Sequence, residues 1–167
     1  MTVAIRGELQ SDWPAVDALN RAAFGGPHEA DLIDRLRRDG LVAASLVAES
    51  GSALVGHILF SWLSVAVDGR AVRAGALAPM AIAPERQRGG VGSRLVVTGL
   101  DSARSVGAEA IIVLGHPAYY PRFGFSAALA AKLAAPFAGD AFMALELTPA
   151  ALRGERGTVT YPPAFGI

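Results

Sequence analysis

The sequence contains no cysteine among its 167 residues, which excludes disulfide bonds, thiolate catalysis and zinc sites built on thiolates. Histidine is scarce as well, and His28, His57 and His116 complete the set. None of the three stands in an H-x-x-x-H or H-E-x-x-H spacing, which would place two imidazoles on one helix face. The sequence therefore predicts a protein without a metal site.

Net charge is the second thing the chain lacks, because 15 basic residues balance 15 acidic ones. A neutral chain has no global field that attracts nucleic acid or anionic lipid, so neither partner is expected. No run of about 18 apolar residues could span a membrane, and the first residues lack the basic-then-apolar layout of a signal peptide. We therefore expect a cytoplasmic protein that binds neither nucleic acid nor membranes.

Apolar residues are abundant, at 52% of the chain against 18% charged residues, which predicts a folded domain with a large core. Apolar periodicity then predicts one α+β domain over residues 1–167, in which an antiparallel meander leads to a strand-helix-strand crossover. The predicted strands are Val3 to Leu9, Leu41 to Ala48, Ala53 to Val67, a strand after Asp68-Gly69 that ends near Ala83, Ile111 to Leu114 and Ala141 to Leu147. The predicted helices run from Asp12 to Phe24, from His28 to Asp39 and from Gly90 to Val106.

Proline and glycine mark two irregular places in this layout. Pro79 lies inside the strand that ends near Ala83, and proline cannot donate to a sheet ladder, so the strand is expected to be interrupted or splayed there. The segment from His116 to Arg122 is predicted to be a short helix or turn, with an extended segment starting at Phe123. Ala141 to Leu147 is the last predicted strand.

Three glycines stand where the third helix should begin, in the stretch Pro84-Glu85-Arg86-Gln87-Arg88-Gly89-Gly90-Val91-Gly92-Ser93-Arg94-Leu95. The first N–H groups of a helix have no internal partner, and the helix dipole makes that end partly positive. Glycine lets a phosphate approach the backbone closely, and three arginines add positive charge nearby. The stretch predicts a phosphate site, although its spacing matches neither GxxxxGK[ST] nor GxGxxG, and a glycine-rich helix start without a ligand remains the alternative.

The same stretch resembles the acetyl-CoA signature of the GCN5-related N-acetyltransferase (GNAT) superfamily, whose core is Q/R-x-x-G-x-G/A. Gln87, Gly90 and Gly92 occupy its defined positions. Further along, Tyr120-Pro121-Arg122-Phe123-Gly124-Phe125 is similar to the Y-x-x-x-G-F motif of that superfamily. The region from Val113 to Phe125 and the ending from Leu152 to Phe165 also resemble the YhbS-like group within it, so the resemblance covers nearly the whole chain.

The resemblance implies a mixed, mostly antiparallel central sheet flanked by helices, with splayed central strands that hold acetyl-CoA. It implies an N-acetyltransferase that passes acetyl from acetyl-CoA, its co-substrate, directly to an amine of a small molecule or protein in a ternary complex. A non-catalytic module that binds CoA as a sensor or docking domain is the alternative. A homodimer is left open, as are the acceptor and the preferred acyl chain.

The resemblance also implies the site residues. The pyrophosphate would be held by backbone N–H groups and by the side chains of Gln87 and Arg88, and the backbone groups belong to Arg88, Gly89, Gly90, Val91, Gly92 and Ser93. The backbones of Met80, Ala81 and Ile82 would pair with the pantetheine arm, and an N–H freed near Pro79 would meet the thioester carbonyl.

Tyr120 holds the position of the tyrosine that faces the CoA sulfur in this superfamily. A phenol has a pKa of about 10 and a thiol about 8.5, so the phenol is protonated at neutral pH and can deliver a proton as the thiolate leaves. Tyr119 is expected to point elsewhere. The group that takes the proton of the amine stays open among His57, His116, Glu29 and water.

Overall fold

The predicted meander forms the first half of a mixed β-sheet, in a computed structural model that describes residues 2–167. The strands are β1 (Val3–Gly7), β2 (Val42–Ser50), β3 (Ala53–Val67), β4 (Arg70–Ile82), β5 (Ala110–Leu114), β6 (Leu133–Ala134), β7 (Phe142–Glu146) and β8 (Gly157–Thr160). The helices are α1 (Trp13–Phe24), α2 (His28–Arg38), α3 (Val91–Ser105) and α4 (Ala127–Ala130). None of these helices is long and apolar enough to cross a membrane.

The sheet order is β1-β2-β3-β4-β5-β7, and the short strands β6 and β8 continue it beside β3. All pairs along the main path are antiparallel except β4 with β5, which α3 connects as a crossover helix. The α+β fold with a mixed, mostly antiparallel sheet is therefore confirmed.

Alternation along β3 explains how helices cover both faces of the sheet, because successive strand residues point to opposite faces. Ile58 and Phe60 pack in the cluster that contains Leu95 and Val96 of α3. Leu59, between them, packs in the cluster formed by α1 and α2. The face of Ile58 and Phe60 is called the α3 face below, and the other is called the α1/α2 face.

A gap opens in the middle of the sheet because β4 and β5 pair only briefly. Their ladder runs from Ala74 opposite Ala110 to Ala76 opposite Ile112 and stops there, although both strands continue. On its other side β4 changes register with β3 at Pro79, between the pairs Ile58–Met80 and Phe60–Leu77. The strand is not broken at Pro79, but the irregularity predicted there is present as this register change, and β4 separates from β5 beyond Ala76.

Two predicted segments differ from the structure. Tyr120–Phe123 is a 3-10 turn that Gly124 ends with a φ of 98°, so the extended segment predicted from Phe123 is wrong. The tail contains a further strand, β8, so Ala141 to Leu147 is not the last one. A Cβ on Gly157 would lie 2.8 Å from the carbonyl oxygen of Ala66, so close strand approach requires glycine there.

Candidate active site

A cleft of about 490 Å³ lies where β4 and β5 separate. Three segments line it: the end of β4 at Met80 and Ile82, the glycine loop with the first turn of α3 (residues 86–93), and the turn after β5 (residues 116–122). A wider hollow of about 610 Å³ lies on the bare part of β3, β4 and β8, but its lining offers no helix N-terminus, phenol or imidazole. The groups that could bind a ligand or transfer a proton therefore lie in the cleft between β4 and β5.

Most of the sequence-predicted residues come together here, namely Met80, Ile82, Gln87, Arg88, Gly90, Gly92, Ser93 and Tyr120. The side chains of Ala81 and Val91 are buried in the core, so only their backbones are available to the cleft. Gly89 lines a neighbouring hollow on the outer side of the loop. These three positions were predicted for their backbone groups alone.

The start of α3 presents unpaired backbone donors to the cleft. Gly90 caps the helix with a φ of 87°, a left-handed conformation that favours glycine, and no side chain caps the first turn. A Cβ on Gly92 would lie 3.4 Å from the Tyr119 hydroxyl and 3.6 Å from the Met80 methyl group. A methyl group at Gly92 would therefore meet no backbone but would stand inside the cleft.

Positive charge surrounds these donors. Arg86, Arg88 and Arg122 line the cleft, and no acidic residue does so among its described lining. Arg86 is held by the Ser50 hydroxyl at 2.6 Å, and the guanidinium of Arg122 stacks 4.7 Å from the ring centre of Tyr119. The combination of free N–H groups and arginines suits a ligand with several phosphate oxygens.

Gln87 has a partner in the protein itself. Its side-chain amide donates to the carbonyl of Ile82 at 3.2 Å. This bond ties the loop to the end of β4, so it fixes the distance between two walls of the cleft.

Tyr120 is a buried phenol in the lining of the cleft. Its ring packs against Gly115, where a Cβ would overlap it, and against Phe125 at 5.6 Å between ring centres. Burial, together with the neighbouring Tyr119, raises the pKa of Tyr120 to about 12. The phenol therefore keeps its proton at neutral pH.

Tyr119 also faces the cleft, so the expectation that it points elsewhere is wrong. Its hydroxyl shares a hydrogen bond with Ser93 in the first turn of α3 at 3.0 Å. Its ring meets that of Tyr120 edge to face at 5.1 Å. The 3-10 turn from Tyr120 to Phe123 causes this, because tight helical geometry does not send neighbouring side chains to opposite sides as a strand would.

The three candidate proton acceptors lie in different places. His116 is an exposed residue of the cleft, and its carbonyl accepts the N–H groups of Tyr119 and Tyr120 at 3.0 and 3.3 Å. Glu29 is half-buried at the start of α2 and is not among the residues that line the cleft. His57 is fully buried on the α1/α2 face of β3.

Both ring nitrogens of His57 are engaged. The Asn20 amide nitrogen lies 3.3 Å from Nδ1, and the Ser45 hydroxyl lies 2.9 Å from Nε2. Since that amide nitrogen can only donate, Nδ1 is the acceptor and Nε2 carries the hydrogen. Burial and the nearby Arg37 lower the pKa of His57 to about 3, so it is a neutral core residue.

Comparisons with known proteins point to one family. The model of the acetyltransferase (GNAT) domain matches residues 4–128. The chain is 38% identical to the uncharacterized N-acetyltransferase YhbS of Escherichia coli strain K12, over 96% of this chain and 97% of that protein. It is also 38% identical to the uncharacterized N-acetyltransferase YjhQ of the same organism, over 78% of this chain and 68% of that protein.

Two solved structures resemble the fold throughout. One is YhbS of Escherichia coli in complex with CoA, with a TM-score of 0.88, 36% identity and coverage of 99% of this chain and 92% of that one. The other is a GNAT family acetyltransferase from Brucella melitensis in complex with acetyl-CoA, with a TM-score of 0.80, 31% identity and 98% coverage of both chains.

Proposed function

This chain belongs to the GNAT family of N-acetyltransferases, and from that premise we propose that it transfers acetyl from acetyl-CoA to the amine of a small molecule or protein. The acceptor attacks directly while both substrates are bound. One observation carries the proposal: a helix start without a side-chain cap and a buried, protonated phenol line the same cleft, between two separating strands. Neither feature alone would indicate acyl transfer.

The residues of the cleft fit acetyl-CoA at its phosphate end. The backbone N–H groups from Arg88 to Ser93 hold the pyrophosphate, and Arg88 adds charge beside them. Gly90 supplies the left-handed turn, and Gly92 leaves the space that the ligand needs. Gln87 supports the loop through its bond to Ile82.

The pantetheine arm fits the free edge of β4. Beyond Ala76 this edge has no strand partner on the β5 side, so the backbones of Met80, Ala81 and Ile82 can pair with an amide-containing chain. The register change at Pro79 leaves an N–H of this edge available to the thioester carbonyl oxygen.

Two side chains act as the proton donor and the proton acceptor of the proposed reaction. Acetyl-CoA supplies the thioester, whose C–S bond breaks as the amine nitrogen forms its bond to the acetyl carbon. The hydroxyl of Tyr120, which its raised pKa keeps protonated at neutral pH, gives its proton to the departing sulfur. His116 takes the proton that the amine loses, since it is the imidazole of the cleft and His57 is buried on the other face of the sheet.

The domain itself is proposed to span residues 1–167, beyond the matched residues 4–128. The support is β8, which pairs with β3 from Ser64 to Val67 and with β6. The C-terminal segment thus completes the same sheet.

A panel of amines with acetyl-CoA tests the proposal by amine-dependent release of CoA thiol. We expect turnover in the wild-type protein and a loss of about 10²- to 10⁴-fold in kcat for Tyr120→Phe, with CoA affinity retained. Tyr119→Phe is the matched control, because it removes a hydroxyl from the same cleft but leaves the proton donor. CoA binding without turnover of any amine would instead indicate the non-catalytic CoA-binding module.

A further inference from the structure

A second cavity lies beside the cleft, between α4 and the loop that leads into β7. It measures about 440 Å³ and is lined by alanines of α4 together with Leu133, Phe137 and Phe142. Asp140 is the one polar side chain of this described lining. Its volume falls in the range of about 300–1,000 Å³ that is typical of small-molecule sites.

This cavity, called the α4 pocket below, is close to the phenol of the cleft. Phe142 pairs with Leu114, the last residue of β5. The backbone N–H of the next residue, Gly115, donates to the carbonyl of Ala141 at 2.9 Å. The ring of Tyr120 packs against Gly115 at the place where a Cβ would lie. Only the end of β5 therefore separates the α4 pocket from the proton donor.

An exposed apolar side chain, Leu114, lies at this end of β5. Strand alternation places Val113 in the core of the α3 face, while Ile112 and Phe142 pack in a cluster on the opposite face. Leu114 follows the same alternation onto the face of Phe142, and its side chain is 48% exposed. Because β4 and β5 separate after Ile112, Leu114 lies between that gap and the α4 pocket.

From these observations we propose that the α4 pocket binds the acceptor, and that the acceptor is a small primary amine with an apolar alkyl or aryl body. This proposal depends on the function proposed above. The apolar body occupies the alanine-rich pocket and lies across Leu114, so that the amine reaches the gap between β4 and β5. The exposed carboxylate of Asp140 attracts the ammonium group on entry.

The lining also defines what the α4 pocket rejects. It contains no arginine, lysine or histidine that could hold the carboxylate of an amino acid. A single carboxylate provides no second site for a polyamine, and burying an unpaired charge in an apolar pocket is costly. Zwitterionic and polycationic amines are therefore expected to be poor ligands.

Benzylamine is a suitable probe, titrated by calorimetry into the wild-type protein saturated with CoA, with alanine and putrescine as comparison ligands. Ala128→Phe fills the α4 pocket from an exposed position of α4, and Asp140→Asn removes its charge without adding bulk. We expect benzylamine to bind in preference to both comparison ligands, with affinity about tenfold lower in Ala128→Phe and several-fold lower in Asp140→Asn. CoA affinity should be unchanged in both variants, and Ala22→Phe on the exposed surface of α1 is the control for added bulk.

The proposal is overturned if benzylamine fails to bind the CoA-loaded protein, if both variants bind it like the wild type, or if alanine or putrescine binds more tightly. Failure of CoA to bind would contradict the proposed acetyltransferase site instead. Turnover of another amine class, undiminished in Ala128→Phe, would leave that function standing and remove only the α4 pocket as the acceptor site.

Discussion

At the scale of single residues, two histidines show how position decides the chemistry of an imidazole. His116 is exposed in the cleft and shares a turn with Tyr119 and Tyr120. His57 is enclosed on the opposite face, with Asn20 and Ser45 on its two nitrogens. The first is accessible to a substrate in the cleft, whereas the second is enclosed in the core and contributes to stability.

His116→Gln should lower kcat by at least about tenfold near pH 7, because the amine then has no imidazole to take its proton. The loss should shrink as the pH approaches the amine pKa of about 10, where the acceptor is already neutral. The measurement is kcat against pH with the best amine of the panel, and His28→Gln on α2 is the control. A weakened affinity for CoA with unchanged kcat would identify His116 as a phosphate ligand instead.

His57 should make stability fall in mild acid. Its folded pKa of about 3 lies below the ordinary value of 6.5, so its contribution is present above pH 6.5 and is lost as the pH falls toward 3. Between about pH 7 and pH 5 the free energy of unfolding should therefore decrease by roughly 1–2 kcal/mol more in the wild type than in His57→Gln. Urea unfolding at pH 7 and pH 5 measures this decrease. An equal decrease in the wild type and in His57→Gln would mean that His57 is not buried in its neutral form.

At the scale of elements, α3 combines a first turn that borders the cleft with a face that packs against the sheet. Its first turn borders the cleft at Gly92, while Gly99 in its third turn packs against Phe60 of β3. A Cβ on Gly99 would lie 2.5 Å from the Phe60 ring. The two glycines therefore have different roles: Gly92 leaves space in the cleft, and Gly99 allows α3 to pack closely against Phe60.

Gly99→Ala should destabilise the protein by about 1–3 kcal/mol, because the added methyl overpacks the contact with Phe60. The same substitution at Gly92 meets only ordinary van der Waals contacts and should leave the free energy of unfolding unchanged or slightly higher. Denaturant unfolding of the two variants checks this. Equal stability of both would contradict the close approach of α3 to β3.

Some elements could be predicted from the sequence and others could not. Helix and strand periodicity located α1 to α3 and the meander, and Pro79 marked the irregularity of β4, because these signals are local. β8 is four residues long, begins with a glycine and is followed closely by Pro162, so only its pairing with β3 makes it a strand. The motif singled out Tyr120, which lines the cleft, but the direction of Tyr119 and the burial of His57 depend on how α3 and α1 cover the sheet.

At the scale of the whole molecule, the start of α3 and the phenol of Tyr120 lie at the gap between β4 and β5, and the α4 pocket lies on the other side of the end of β5. The α3 face supplies the helix start and the tyrosines, and the opposite face supplies Leu114 and the α4 pocket. Under the two proposals made above, acetyl-CoA and the acceptor approach one point from the two faces of the sheet. Ligand binding to this gap stabilises the folded state by mass action, so CoA should raise the unfolding temperature of the protein.

The most direct test of the proposed site is calorimetric titration of CoA into Gly92→Val, with Gly99→Ala as the control. The signature allows Gly or Ala at this position, so a side chain larger than a methyl group is needed to block the cleft. Gly92→Val should remain folded but bind CoA at least about tenfold more weakly than the wild type, because the branched side chain stands in the cleft. Gly99→Ala should do the reverse, losing stability while its remaining folded protein binds CoA normally. Wild-type affinity for CoA in Gly92→Val would contradict the assignment of this cleft as the acetyl-CoA site.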